Sequence, residues 1–421
     1  MDHFTYKNGI LYAEDVPLPD LAETIGTPFY CYSTATLQRH YRVFAEALTG
    51  LDAEIFYAVK ANDNIAVIRT LAEAGAGADV VSGGEIRKVR AAGVAPDRIV
   101  FSGVGKTREE MAYALDAGIL QFNVESEPEL YALSDVARAR DATVDIAIRI
   151  NPDVDAGTHH KISTGRKDNK FGVAWPGARA VFAKAAELPG LAVRGVAIHI
   201  GSQLTQLAPF EQAFKIAVDA VRQLRSDGHA IDRLDLGGGL GVPYGIADPP
   251  SPADYGAMVK RVTAGLGCKL MFEPGRLIVA NAGILVTRVI YVKRSAHKVF
   301  VITDAAMNDL IRPTLYGAHH SVVPVLQGRA KGTPEPVDIV GPVCESGDIL
   351  AENREMVVPL ADDLLVLRSA GAYAAVMAST YNARPLVPEV MVRGAAHAVV
   401  RKRQTYDELL ATNALPDWLS P

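Results

Sequence analysis

Lys60 closes the apolar run Ile55-Phe56-Tyr57-Ala58-Val59 and is followed by Ala61-Asn62. A lysine carried by a buried strand to the mouth of a domain can be desolvated, which disfavours the ammonium and leaves a neutral amine. Such an amine adds to an aldehyde to give a Schiff base. Alone, a strand-end lysine is more often a solvated surface group, so the reading depends on its company. Gly237-Gly238-Gly239 closes the segment 233–236, and consecutive glycines either make a flexible turn or let backbone N–H groups approach an anion such as phosphate. Glu273-Pro274-Gly275-Arg276 ends another apolar run. A carboxylate buried there needs a cationic partner, either Arg276 in a structural salt bridge or a protonated pyridine nitrogen. His199, in Ala197-Ile198-His199-Ile200-Gly201-Ser202, could be a satisfied core histidine or could lay its ring on a flat ligand.

The elements that must position these residues follow from the hydrophobic pattern. Short apolar runs at 55–60, 77–82, 99–103, 120–126, 145–150, 193–200, 233–238 and 269–275 alternate with amphipathic stretches such as 65–75, 84–93, 128–139 and 210–227. Eight strands, each followed by a helix or long loop, predict a parallel sheet closed into a (β/α)8, TIM-like barrel over 29–277. Lys60, Asp79, Arg149, His199, the triple glycine and Glu273 all fall where strands stop, the face on which such barrels carry their active sites. Beyond residue 277 the helical period fades. Stretches 285–292, 298–302, 337–339 and 363–367 read as strands between Gly/Pro turns, so 278–421 together with the turn-rich 1–28 is expected to form a second, all-β domain. The long polar segment 151–172 directly follows a barrel strand and reads as a mobile active-site loop.

Composition narrows the class. With 43 basic and 48 acidic residues the chain is mildly acidic and has no lysine-rich run, which argues against nucleic acid as a partner. Cys31, Cys268 and Cys344 are too few and scattered for a disulfide framework or a zinc site, and no metal is expected. No apolar stretch approaches membrane-spanning length, and a cytoplasmic protein is expected. His319-His320 lacks a carboxylate or cysteine at ligand spacing and is read as a solvated loop or subunit contact.

An aldehyde, a pyridine ring and a phosphate together describe pyridoxal 5′-phosphate, a cofactor whose protonated ring accepts electrons released at Cα. Several motifs then resemble one family. They are Tyr57-Ala58-Val59-Lys60-Ala61-Asn62, Arg149-Ile150-Asn151-Pro152, Asp168-Asn169-Lys170-Phe171-Gly172, His199-Ile200-Gly201-Ser202, the triple glycine, Glu273-Pro274-Gly275-Arg276, Arg312-Pro313-Thr314-Leu315-Tyr316, Cys344-Glu345-Ser346, Gly371-Ala372-Tyr373 and Tyr381-Asn382-Ala383-Arg384-Pro385. In this order they resemble the diaminopimelate decarboxylase family, of the alanine-racemase-like, fold type III group of pyridoxal-phosphate enzymes. Tyr381 departs from the phenylalanine frequent in relatives.

The resemblance implies roles. Lys60 would carry the cofactor, His199 would stack on its ring, and Glu273 would bond the ring nitrogen. Ser202, Gly238, the backbone at Gly275-Arg276, and Tyr373 would hold the phosphate. Arg276, Arg312 and Tyr316 would grip the distal carboxylate of the substrate, with Tyr373 nearby, and Glu345 would meet its distal ammonium. Cys344 would protonate Cα, reaching the site with Glu345 from the second subunit of a homodimer. Asp79 and Arg149 would support the site from behind. The implied reaction is decarboxylation of meso-2,6-diaminopimelate at its D-centre to L-lysine and CO2, the last step of bacterial lysine biosynthesis. A racemase of this group would usually place arginine at the pyridine nitrogen. Relatives acting on L-ornithine commonly carry Cys-Asp in place of Cys344-Glu345. Decarboxylases of D-ornithine or D-lysine stand closer, and a regulatory homologue would be expected to lose Lys60, Glu273 or Cys344.

Overall fold

The computed structural model describes residues 2–157, 162, 164–165, 169–245 and 248–419. Part of the 151–172 loop expected to move, including Asp168 of the matched motif, lies outside them. The chain divides into two compact units, Leu37–Val279 and the combination of Met1–Thr36 with Ala280–Pro421.

In the first unit the strands Ala53–Ala58, Gly77–Val80, Ile99–Phe101, Gln121–Val124, Val144–Asn151, Leu191–Ala197, Arg233–Asp235 and Lys269–Phe272 pair in parallel. The eighth pairs back onto the first, Leu270 opposite Ala53, and closes the ring. Every expected barrel strand is present, and Val173–Ala174 adds a short outer partner to the fifth. Strands two, three and four are buried at every position, because helices cover the outside of the sheet while side chains fill the inside. Outward-facing Phe101, Phe122 and Phe272 are fully buried, each contributing about 1.5–3 kcal/mol of burial free energy. Helices Ile65–Glu73, Gly83–Ala91, Glu127–Arg138 and Ala208–Ser226 lie where periodicity predicts them. Arg108–Ala117, Ala178–Glu187 and Pro252–Val262 complete the series.

In the second unit one sheet runs Ile349–Met356, Glu335–Val340, Val299–Thr303, Gly283–Arg294, Phe29–Ser33, Glu389–Arg393, Ala396–Arg401, with Leu364–Leu367 bridging Gly283–Arg294 to Val322–Pro324. The N-terminal strands Phe4–Lys7, Ile10–Ala13 and Val16–Pro17 form a separate three-stranded sheet. Phe4, Leu11 and Leu18 share an apolar core with Phe29, Ile284, Val366 and Val390. The boundary placed at residue 29 from the sequence is therefore displaced. Phe29–Ser33 reads as the opening of the barrel but pairs with Gly283–Arg294 and Glu389–Arg393, since all five of its residues are buried in that sheet.

Candidate active site

Side chains alternate across a strand, so each barrel strand sends every second residue inward. Low in the barrel, Phe56, Val100 and Met271 form an apolar plug with Leu120. Two residues further along those strands stand Ala58, Ser102 and Glu273, and two beyond Ala58 stands Lys60. The period that builds the core thus delivers the polar groups to the mouth above it.

Lys60 sits in a short 3-10 turn, Val59–Ala61, at the end of the first strand. Its Nζ lies 2.6 Å from Oδ2 of Asp79 on the second strand, the lysine side chain 32% exposed and the aspartate fully buried. Glu273, 7% exposed, accepts from Nδ2 of Asn123 at 3.1 Å and from Oγ of Ser102 at 3.3 Å. The same Asn123 amide donates to Oδ2 of Asp235 at 2.9 Å. Burial pushes the Glu273 carboxyl well above the usual carboxylate range, and the neighbouring Asp235 and Asp79 push it the same way. Burial raises Asp235 as well. Two acids this close in a dry site hold a proton readily, and either would gain from a cationic partner. The salt bridge to Arg276 allowed by the sequence is not what engages Glu273 here. Arg276 instead donates to Oγ of Ser202 at 3.1 Å and to Oη of Tyr244 at 3.2 Å.

His199 follows the sixth strand. Its Nδ1 accepts the N–H of Gly238 at 3.2 Å, which leaves the ring hydrogen on Nε2. Burial, then the charges of Arg149 and Lys60, hold the imidazole neutral, far below its ordinary titration range. Arg149 pairs with Glu125 at 2.8 Å and donates to the His199 carbonyl at 3.0 Å, which fixes the turn carrying the ring. Gly238 has its amide committed to His199, so its larger contribution is the side chain it lacks. A Cβ there would stand 2.2 Å from the Glu273 carbonyl oxygen. The loop is pressed against the eighth strand as only glycine permits.

The remaining expected residues lie in the β-rich unit. Arg312 and Tyr316 share the helix Arg312–Tyr316. Arg312 is buried, and its Nη1 lies 2.8 Å from Nε2 of His320. His320 is 0% exposed, which corrects its reading as a solvated loop or subunit contact; its neighbour His319 is partly exposed. Cys344 is exposed, with an unpaired thiol, and its backbone N–H donates to Oδ1 of Asn382 at 3.0 Å. Asp348 braces the same loop, accepting from the N–H groups of Met307 at 2.6 Å and Val343 at 2.7 Å. The Tyr381 hydroxyl lies near Glu345, whose carboxylate raises the phenol above its usual range. Tyr373 holds a positive φ of 53°, a conformation costly for a non-glycine residue and concentrated at functional sites.

Residues 34–280 match the family described as pyridoxal-dependent decarboxylase, pyridoxal binding domain. Over 421 residues the chain is 51% identical to the diaminopimelate decarboxylase of Zymomonas mobilis, covering 99% of each. It is 50% identical to that of Pseudomonas aeruginosa, again over 99% of both. The chain belongs to the diaminopimelate decarboxylase family. Among solved structures, the M. jannaschii diaminopimelate decarboxylase in complex with L-lysine superposes with a TM-score of 0.94 at 36% identity, covering 100% of this chain and 99% of that one. The Helicobacter pylori enzyme complexed with L-lysine gives 0.91 at 39%, covering 94% and 98%.

The barrel mouth suits the cofactor of this family of decarboxylases. Lys60 offers an amine, Glu273 a buried acid in want of a cation, His199 a flat neutral ring, and the glycine loop a turn packed so closely on neighbouring backbone carbonyls that no Cβ fits. Ser102, Asn123, Asp235 and Glu125 were not picked out from the sequence, and His320 was singled out only as a solvated loop or subunit contact. Ser102 could have been found by stepping two residues along its strand from the inward apolar Val100, whereas Asn123, Glu125 and Asp235 stand two beyond the polar residues Gln121, Asn123 and Arg233. No such local signal exists for His320.

Proposed function

We propose that this protein binds pyridoxal 5′-phosphate through Lys60 and decarboxylates meso-2,6-diaminopimelate at its D-centre, releasing CO2 and L-lysine. The observation that carries this reading is the buried Glu273 carboxyl, placed with Lys60 and a neutral His199 in one barrel mouth. When bound, pyridoxal phosphate supplies the sink for the electron pair left on Cα as CO2 departs. Glu273 would pair with the ring nitrogen and keep it protonated, a pairing its burial favours. Asp79, fully buried and 2.6 Å from the Lys60 Nζ, supports the lysine from behind. His199 would lie against the ring without adding charge. Ser202, the backbone at Gly275-Arg276, and Tyr373 would hold the phosphate, and Gly238, its N–H given to His199, would contribute by the close approach its missing side chain allows.

Arg276, Arg312, Tyr316 and Tyr373 hold the distal carboxylate, a planar acceptor suited to a guanidinium fork, and Glu345 takes the distal ammonium. These contacts fix the L-end, so that only the D-centre is offered for bond breaking. Cys344 gives its Sγ proton to Cα, which replaces the carboxylate that left. We assign Cys344 and Glu345 to the second subunit of a homodimer. All three thiols are unpaired, which suits a reducing cytoplasm. Among the described residues no helix is long and apolar enough to cross a membrane.

The test is to supply purified protein and pyridoxal phosphate with meso-diaminopimelate and to measure CO2 and L-lysine, with Lys60→Ala as control. Lysine from the wild type only supports the reaction and its lysine together. Cofactor binding without lysine production moves the substrate to D-ornithine or D-lysine.

A further inference from the structure

The turn that follows helix Arg312–Tyr316 returns the chain to strand Val322–Pro324 and buries His320 on the way. The Nε2 atom of His320 faces Nη1 of Arg312 at 2.8 Å, and its Nδ1 faces the carbonyl oxygen of Arg368 at 2.8 Å. These two partners determine the tautomer. A carbonyl can only accept, so Nδ1 carries the hydrogen; a guanidinium can only donate, so Nε2 presents a lone pair. Arg368 follows directly on strand Leu364–Leu367. Its N–H donates to the Ser321 carbonyl at 2.9 Å, and its guanidinium donates to the Phe4 carbonyl at 2.7 Å. The imidazole therefore ties the Arg312 head to a strand end that is itself held from two sides. The same strand end leads through Ser369, at φ 56°, to Gly371-Ala372-Tyr373.

We infer that His320, as a neutral Nδ1–H imidazole, is a positioning residue that aims the Arg312 guanidinium at the distal carboxylate of the substrate. The inference rests on the role proposed above for Arg312. An arginine has four side-chain torsions, and its head points one way only if something receives it. His320 is that acceptor. The consequence is selectivity for ligands that keep the carboxylate over diamines that lack it.

Two near-isosteric variants separate this role from simple core filling. In His320→Gln an amide oxygen can take the place of Nε2 and still receive Arg312. In His320→Asn the shorter amide can reach the Arg368 carbonyl but not Arg312. Each holoenzyme is titrated with L-lysine, which retains the carboxylate, and with 1,5-diaminopentane, which does not, following the visible absorbance of the bound cofactor. Kinetic constants for meso-diaminopimelate are measured alongside. Loss of a buried bond to a charged group predicts that His320→Asn weakens L-lysine and raises KM by roughly 10- to 100-fold. Under the same reasoning kcat and 1,5-diaminopentane binding stay within about threefold, and His320→Gln stays within about threefold throughout. Equal losses in both variants, or equal losses for both ligands, overturn the inference. So does failure of both variants to form holoenzyme, which would place His320 in the folding core. Arg312→Ala separates the two claims. If it leaves L-lysine binding unchanged, the role of Arg312 itself is wrong; if it weakens L-lysine while His320→Asn does not, only the role of His320 falls.

Discussion

Tyr381 shows how one added hydroxyl gains a function. Its ring is exposed, and its hydroxyl lies near Glu345, the side chain assigned to the distal ammonium of the substrate. Removing the hydroxyl leaves the ring volume intact and frees the carboxylate to swing. Tyr381→Phe is expected to raise KM for meso-diaminopimelate by roughly 3- to 10-fold, the loss of one exposed polar contact to a charged group; kcat and the absorbance of bound cofactor should stay near wild type in the same steady-state assay. Glu85 makes a second prediction at this scale. Burial raises its carboxyl to about 7, against the lowering effects of the Val81 N–H bond and the Lys60 charge. A carboxyl raised in the folded state contributes stability that is present below its ordinary 4.5 and lost as pH climbs through about 7. The thermal midpoint of the cofactor-free protein should therefore fall more between pH 5 and pH 8 in wild type than in Glu85→Gln. Parallel melting curves check this, and equal slopes would remove Glu85 as a cause. Lys60 and Glu273 were legible as chemistry because each ends an apolar run. His320 was not, because its meaning depends on Arg368, 48 residues away in sequence.

Among the elements, the barrel strands were the most readable part of the chain. Each is short, apolar and bounded by turn residues, and burial on both faces leaves little ambiguity. The helices Arg108–Ala117, Ala178–Glu187 and Pro252–Val262 were less so. The first has a mixed surface and begins with a capping box, Thr107 with Glu110, whose local signal does not extend along the helix. The inward acids and amides, Asn123 and Asp235 among them, were obscured by the apolar neighbours that face outward. Where elements meet closely, glycine records the contact. Gly238→Ala places a methyl 2.2 Å from the Glu273 carbonyl oxygen. Overpacking of this kind costs about 1–3 kcal/mol and should weaken pyridoxal phosphate by roughly 5- to 100-fold by displacing the loop. Equilibrium dialysis measures it. Gly105→Ala, where a Cβ meets nothing within 4 Å, is the control expected to bind as wild type.

For the whole molecule, the family resemblance covered nearly the entire chain, yet it left the placement of one strand wrong. Phe29–Ser33 lies next to the barrel in sequence, and only pairing with residues far down the chain assigns it to the other unit. Subunit sharing of the proposed site has a direct consequence. Lys60→Ala and Cys344→Ala protomers should each be inactive alone and complement each other when mixed under exchanging conditions. Random pairing in a two-fold dimer gives about a quarter of wild-type activity, one intact site in half of the dimers. No recovery in the mixed sample, with exchange verified, would place Cys344 and Lys60 in the same protomer's site.

The sheet of the β-rich unit has a further consequence during synthesis. Phe29–Ser33 leaves the ribosome early, but its first partner, Gly283–Arg294, follows roughly 250 residues later, which at ordinary translation rates is about 10–50 s. Throughout that interval a five-residue strand that is wholly buried in the finished protein has neither neighbour. The nascent chain therefore carries an adhesive edge while those intervening residues are made, and chaperone capture in the cell should concentrate there.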